Sequence, residues 1–149
     1  MCPSHDADEL DIGRSIVAIA RAMDDRDWSV VTGIARADVI WNLGEGVVAR
    51  SAAEAVALMS EFLGRCGATQ HLIGDVVVDV SGDVATSRAY IADLHVGVGE
   101  HAGEVFRTFG DYHDEWMRTE DGWRLSRRDK SHVAMIGDPA VVGAAGAVR

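Results

Sequence analysis

The sequence predicts an α+β fold, with three N-terminal helices gathered on one side of a strongly bent, mainly antiparallel sheet. Up to about Leu63 the apolar residues recur mostly at helical spacing, interrupted by one short β-rich run. From Gln70 onward the pattern changes to β-branched runs separated by turn residues. There are no internal repeats and no linker, so the 149 residues are expected to form one domain. Residues 1–136 make its body and 137–149, rich in small residues, a flexible tail.

Each element has a local reason. Asp8 to Met23 carries Leu10, Ile12, Ile16, Val17, Ile19, Ala20 and Met23, mostly at i, i+3 and i+4, which makes an amphipathic helix. Asp6 or Asp8 suits its N-terminus by capping and by the helix dipole. Asp27–Ile34 reads as a second, short helix with Asp27 as N-cap. Asp38–Leu43, with Val39, Ile40 and Trp41, is a short strand broken by Gly44-Glu45-Gly46. Ser51 and Glu54 form a capping box, which places a third helix from Ala52 to about Leu63, ended by Gly64 and Gly67.

Four strands follow, over Gln70–Val80, Val84–Val96, Glu104–Arg118 and Trp123–Met135. Ser81-Gly82-Asp83 and Glu120-Asp121-Gly122 are tight turns, and Gly97, Gly99 and Gly103 mark a longer loop. Gly110 is a candidate β-bulge. Strands joined this way form an antiparallel meander, against which the helices pack.

Composition narrows the function classes. A formal net charge of −10 disfavours nucleic acid and anionic membrane surfaces as partners, because like charges repel. No run approaches the roughly 18 apolar residues of a membrane span, and the polar, acidic start from Met1 to Leu10 does not read as a signal peptide. Two cysteines, Cys2 and Cys66, make no disulfide framework, so a reduced, cytoplasmic setting is expected.

The chemistry-bearing residues fall in two short segments. Asp24, Asp25 and Asp27 lie in the stretch from Met23 to Trp28, and His71 lies in Thr69 to Asp75. A carboxylate held against an imidazole is the simplest general base at neutral pH: it fixes the tautomer and raises the basicity of the ring. The plain alternatives are a structural histidine entering a strand and acidic residues ending a helix. Carboxylates suit a helix C-terminus poorly, so the acidic pair there calls for an explanation.

Asp93, His95, Asp111, Tyr112, His113 and Glu115 are polar residues on neighbouring strands, and for most of them a solvated face is the expected reading. His95 or His113, facing inward, could donate a proton to a leaving group or bind a carbonyl oxygen. Trp28, Trp116 and Trp123 read as packing residues, with Trp123 pinning its hairpin. No H-x-x-x-H, Cys-x-x-Cys, phosphate-binding glycine loop or nucleophile motif is present, so neither a metal nor another cofactor is expected.

The segments "DDRDW", "TQHLIGD" and "DEWMRTEDGWRLSRR", in this element order, make the chain resemble the SnoaL-like group of the nuclear-transport-factor-like fold. The resemblance implies a cone-shaped domain and, from two enzymes of that group, scytalone dehydratase and gamma-hexachlorocyclohexane dehydrochlorinase, an Asp–His dyad. The matching positions are Asp24 and His71, with Trp41 as a pocket tryptophan. The dehydratase has a substrate-orienting tyrosine where this chain has Met23. Its second pocket histidine falls at Leu94 or His95, and its pocket asparagine near His113. The resemblance also implies a homodimer or higher homo-oligomer.

The combined expectation is a cofactor-free acid–base enzyme (lyase or dehydratase, isomerase or cyclase) acting on a small apolar metabolite such as a polyketide or an aromatic compound. Asp24 and His71 abstract the proton, and Met23, Trp41, Met59, Phe62, Leu94, Phe109 and His113 bind the substrate. Two alternatives stand beside it: water activation of the epoxide-hydrolase type, and a non-catalytic small-molecule binding protein.

Overall fold

The computed structural model describes residues 5–143. Three helices, α1 (His5–Asp25), α2 (Trp28–Ile34) and α3 (Ala52–Gly64), pack on a sheet of six strands: β1 (Ala35–Gly44), β2 (Val47–Ala49), β3 (Thr69–Ser81), β4 (Val84–Val96), β5 (Val105–Thr119) and β6 (Gly122–Ile136). The sheet order is β2-β1-β6-β5-β4-β3. The expected meander from β3 to β6 is antiparallel throughout, and β1 joins it by running parallel to β6. β2 was not foreseen. It folds back on β1 through the turn at Gly44-Glu45-Gly46.

Strand alternation sets the two faces of the sheet. On β4 the residues Ala85, Ser87, Ala89, Ile91, Asp93 and His95 are buried, and on β5 Phe106, Thr108, Gly110, Tyr112, Asp114 and Trp116 are. Of these, Ala85, Ala89, Phe106 and Trp116 meet Ile12, Ile16, Ile19 and Met23 of α1 and Ala52, Ala55, Met59 and Leu63 of α3 in one core. The bulge expected at Gly110 falls on the partner strand instead: Phe109 pairs with Ala134 and Gly110 with His132, which leaves Val133 of β6 as the extra residue. A Cβ at Gly110 would stand 1.8 Å from the Ser131 carbonyl oxygen, so only glycine lets β6 approach there.

The capping box on α3 forms, with Ser51 Oγ accepting the Glu54 N–H at 3.1 Å. Two other capping expectations change. Asp27 stands at the N-cap of α2, but its carboxylate accepts the Ser29 hydroxyl rather than a backbone N–H. Asp8 lies inside the first turn of α1, where it accepts two N–H bonds from Arg118 at 2.8 Å and one from the Trp123 indole at 2.9 Å. Trp123 therefore ties α1 to the β5–β6 hairpin.

The expected flexible tail is corrected up to Gly143. Pro139–Val142 form a short 3-10 turn capped by Asp138, and Val141 and Val142 are buried. Two adjacent valines bury enough apolar surface to hold this turn against the core. The rest of the tail, 144–149, and Cys2 lie outside the described residues. No described helix is long and apolar enough to cross a membrane.

Candidate active site

Asp24 sits in the last turn of α1, and the way that helix stops aims it. Arg26 adopts φ 57°, a left-handed conformation that favours glycine. The Arg26 N–H bonds the Met23 carbonyl and the Asp27 N–H bonds that of Ala22, the Schellman pattern of helix termination. A non-glycine residue there is strained by about 1 kcal/mol or more. The Arg26 guanidinium offsets that strain by donating to the carbonyls of Met23 (2.6 Å), Leu63 (3.0 Å) and Gly67 (3.0 Å) and to Thr69 Oγ1 (2.9 Å). One side chain thus fastens the end of α1, the end of α3 and the start of β3 around Asp24.

The Asp24 carboxylate meets His71 on two sides. Its Oδ1 lies 2.6 Å from the ring Nδ1, and its Oδ2 accepts the His71 backbone N–H at 3.1 Å. Thr69 also donates its hydroxyl to Oδ1 at 3.0 Å. Burial pushes the Asp24 carboxyl up, but the ring and backbone bonds from His71 outweigh it and hold the group below its usual range. Asp24 is therefore an acceptor at neutral pH, Nδ1 carries the proton, and Nε2 of His71 keeps a free lone pair. The two side chains are 17% and 5% exposed, so water screens the pair little.

His71 opens onto a cavity of about 450 Å³. Met23, Trp41, Met59 and Phe62 line it, together with Leu43, Val47, Met135 and Val142. Leu94, Phe109 and His113 do not line it. β4 presents odd-numbered and β5 even-numbered residues to the interior here, which sends these three to the outer face. His113 is exposed, and Phe109 lies under the Arg107 guanidinium.

Parity also corrects the solvated-face reading of Asp93 and His95. Asp93 is the register partner of His71 and His95 that of Thr69, so both point inward and are buried. His95 stacks edge-on against His71 with ring centres 5.8 Å apart. Its Nδ1–H donates to the Phe106 carbonyl at 3.0 Å, leaving Nε2 bare, and burial pulls its pKa down to about 4. His95 is thus a neutral acceptor at pH 7, unlike the proton donor considered from the sequence.

Sequence reading missed the polar wall on β6. Lys130 Nζ bonds Asp93 Oδ2 at 2.7 Å, and Thr108 donates to the same oxygen at 3.1 Å. His132 Nδ1 lies 3.3 Å from Glu45 Oε1. Burial holds the His132 pKa down and pushes the Tyr112 phenol up. Beneath the wall, Arg128 pairs with Asp114 and is sandwiched between the rings of Tyr112 (4.0 Å) and Trp41 (5.1 Å). The available signal was parity: once His71 faces inward, its cross-strand partners do too.

Among the described residues, His101, Glu104 and Asp138 are close enough to hold a metal ion, with donor atoms within 4.8 Å of one another. They sit on the surface and do not line the cavity.

The sequence profile of the SnoaL-like domain family matches residues 5–129. The chain belongs to that family. Several solved structures share the fold. A Kribbella flavida protein superposes with a TM-score of 0.86 at 20% identity, covering 95% of this chain and 100% of that one. A hexachlorocyclohexane dehydrochlorinase from Novosphingobium barchaimii gives 0.75 at 16% identity, covering 89% and 94%. A candidate scytalone dehydratase from Novosphingobium aromaticivorans gives 0.77 at 16%, covering 85% of each chain. In sequence, an uncharacterized Mycobacterium tuberculosis protein is 36% identical over 70 residues, and the match spans 47% of each chain, about half the length of that curated relative.

Proposed function

We propose that this SnoaL-like protein is a cofactor-free acid–base enzyme, a lyase or an isomerase or cyclase, acting on a small, largely apolar metabolite. One observation carries the reading: Asp24 Oδ1 lies 2.6 Å from Nδ1 of a histidine that opens onto an apolar-walled cavity. The bare Nε2 takes the proton from an acidic C–H, and Asp24 stabilises the imidazolium that forms. Such help is typically worth about 10²–10⁴-fold. The relatives named as a dehydratase and a dehydrochlorinase support an elimination as the outcome.

Water activation by Asp24 has less support, because His71 and Thr69 occupy both of its oxygens. Hydrogen–deuterium exchange tests the dyad without a known substrate. Apolar cyclic ketones are incubated in D₂O and followed by NMR. Catalysed α-exchange that disappears in His71→Ala supports the reading. Equal exchange in wild type and variant sinks it and leaves a binding protein.

Two further readings accompany the proposal. The outer sheet face carries an apolar row of register partners, Leu72–Ala92–Phe109–Ala134, with Leu72 61% exposed. This row is proposed as the contact between two copies of the chain. A cytoplasmic setting is proposed because Cys66 is a free, buried thiol.

A further inference from the structure

The Asp93–Lys130 pair is an expensive way to fill a wall. A buried ion pair recovers little beyond its own desolvation, and apolar residues of similar volume are commonly as stable. Here Asp93 Oδ1 is also buried without a hydrogen-bond partner, a further cost. Such a pair in a cavity wall points to use.

Its orientation says which use. The Asp93 side chain is fully buried at 0% exposure and does not line the cavity, while that of Lys130 is 15% exposed and does. The cavity therefore meets the Lys130 side of the pair. Lys130 has three N–H donors, and Asp93 takes one. Apart from the Tyr112 phenol, the other polar groups of the wall do not compete well as donors. His71 and His95 direct their Nδ1 protons to Asp24 and Phe106, Thr108 gives its hydroxyl to Asp93, and His132 faces Glu45. Tyr112, the register partner of Lys130, adds a neutral phenol beside it.

We propose that Lys130 holds the substrate's oxygen, so that the substrate class is a small, largely apolar carbonyl compound with an acidic C–H next to the carbonyl. The inference rests on His71 being the base. In the step, the α C–H bond breaks and its proton bonds to Nε2 of His71. The C–H electron pair forms the C=C bond, and the carbonyl π pair moves onto oxygen. The resulting enolate oxygen accepts from Lys130. Amid apolar walls, a preformed ammonium favours that charge strongly.

Phenols mimic the enolate, and 4-nitrophenol reports its own protonation by absorbance. Wild type is expected to bind the phenolate about tenfold more tightly than the phenol, seen as a drop of about one unit in the apparent pKa of the bound probe. The double variant Asp93→Asn/Lys130→Met removes both charges without stranding either, and is expected to lose the preference while keeping its fold by circular dichroism. His71→Ala is expected to retain it. No phenolate preference in wild type, or a preference that survives the double variant, overturns the proposal. A preference lost in His71→Ala instead assigns the oxygen to His71, and overturns it too. The dyad is judged separately by the exchange experiment, so the two readings fail independently.

Discussion

Asp24 grips His71 by both its ring and its backbone: Oδ1 sits 2.6 Å from Nδ1 and Oδ2 accepts the main-chain N–H at 3.1 Å. One carboxylate thus fixes where β3 begins and how the imidazole turns. The same contact joins the sheet to the helical layer and leaves Nε2 of His71 with a free lone pair.

The dyad is expected to behave as a unit. Once a substrate is found, His71→Ala should lower kcat by about 10²–10⁴-fold. Asp24→Asn should lose a smaller factor, because the amide oxygen still accepts but no longer stabilises an imidazolium. The double variant should be no slower than His71→Ala, since paired residues are non-additive. Additive losses in steady-state kinetics would show two independent roles.

Arg26 makes the clamp behind the dyad. Arg26→Ala should destabilise the fold by at least about 2 kcal/mol in urea unfolding, because three carbonyls and Thr69 lose a charged donor. Arg26→Lys should not restore it, since an ammonium lacks the planar fork. Recovery by lysine would mean that charge alone matters.

Acid should weaken the protein in two steps. His95 is held at about 4 against 6.5 in the unfolded chain. As pH falls from about 6.5 to 4 the unfolded state takes up this proton first, so stability drops. Asp8 is lowered from 3.8 to about 2, first by its Arg118 bond and then by its Trp123 bond. Its contribution is present above about pH 4 and is lost as pH falls toward 2. Urea midpoints across pH 4–7 should rise with pH in wild type and rise less steeply in His95→Phe, where His132, also held down by burial, still contributes.

Gly110→Ala is expected to be among the most damaging single changes. The added methyl meets the Ser131 carbonyl oxygen at 1.8 Å, and backbone cannot yield as a side chain can. A loss above about 3 kcal/mol, or failure to fold, is the expected result by thermal denaturation. A near-neutral effect would mean that the bulge relocates.

Self-association is tested on the outer face. Wild type is expected to run as a dimer in light scattering. Leu72→Glu should give a folded monomer, because it places a charge at the most exposed large residue of the apolar row. A monomeric wild type would remove the proposal.

Much of the fold was legible because its signals are local. The helical spacing of Ile12, Ile16 and Ile19, the Ser51–Glu54 capping box and the turn at Gly82 depend on near neighbours in the chain, and each is present. The meander followed from consecutive strands and short turns. The pairing of β1 with β6 was not legible, because it joins strands some 80 residues apart with no turn to fix them.

The candidate site divides in the same way. The sequence by itself determined the acidic segment at a helix end, the histidine at a strand start and most of the apolar wall from Met23 to Phe62. Only the tertiary structure decided which residues of β4, β5 and β6 face the cavity. A one-residue choice of register sends His95, Asp93 and Lys130 inward and Leu94, Phe109 and His113 outward. That choice is made by cross-strand hydrogen bonding, between partners that no single window along the chain contains.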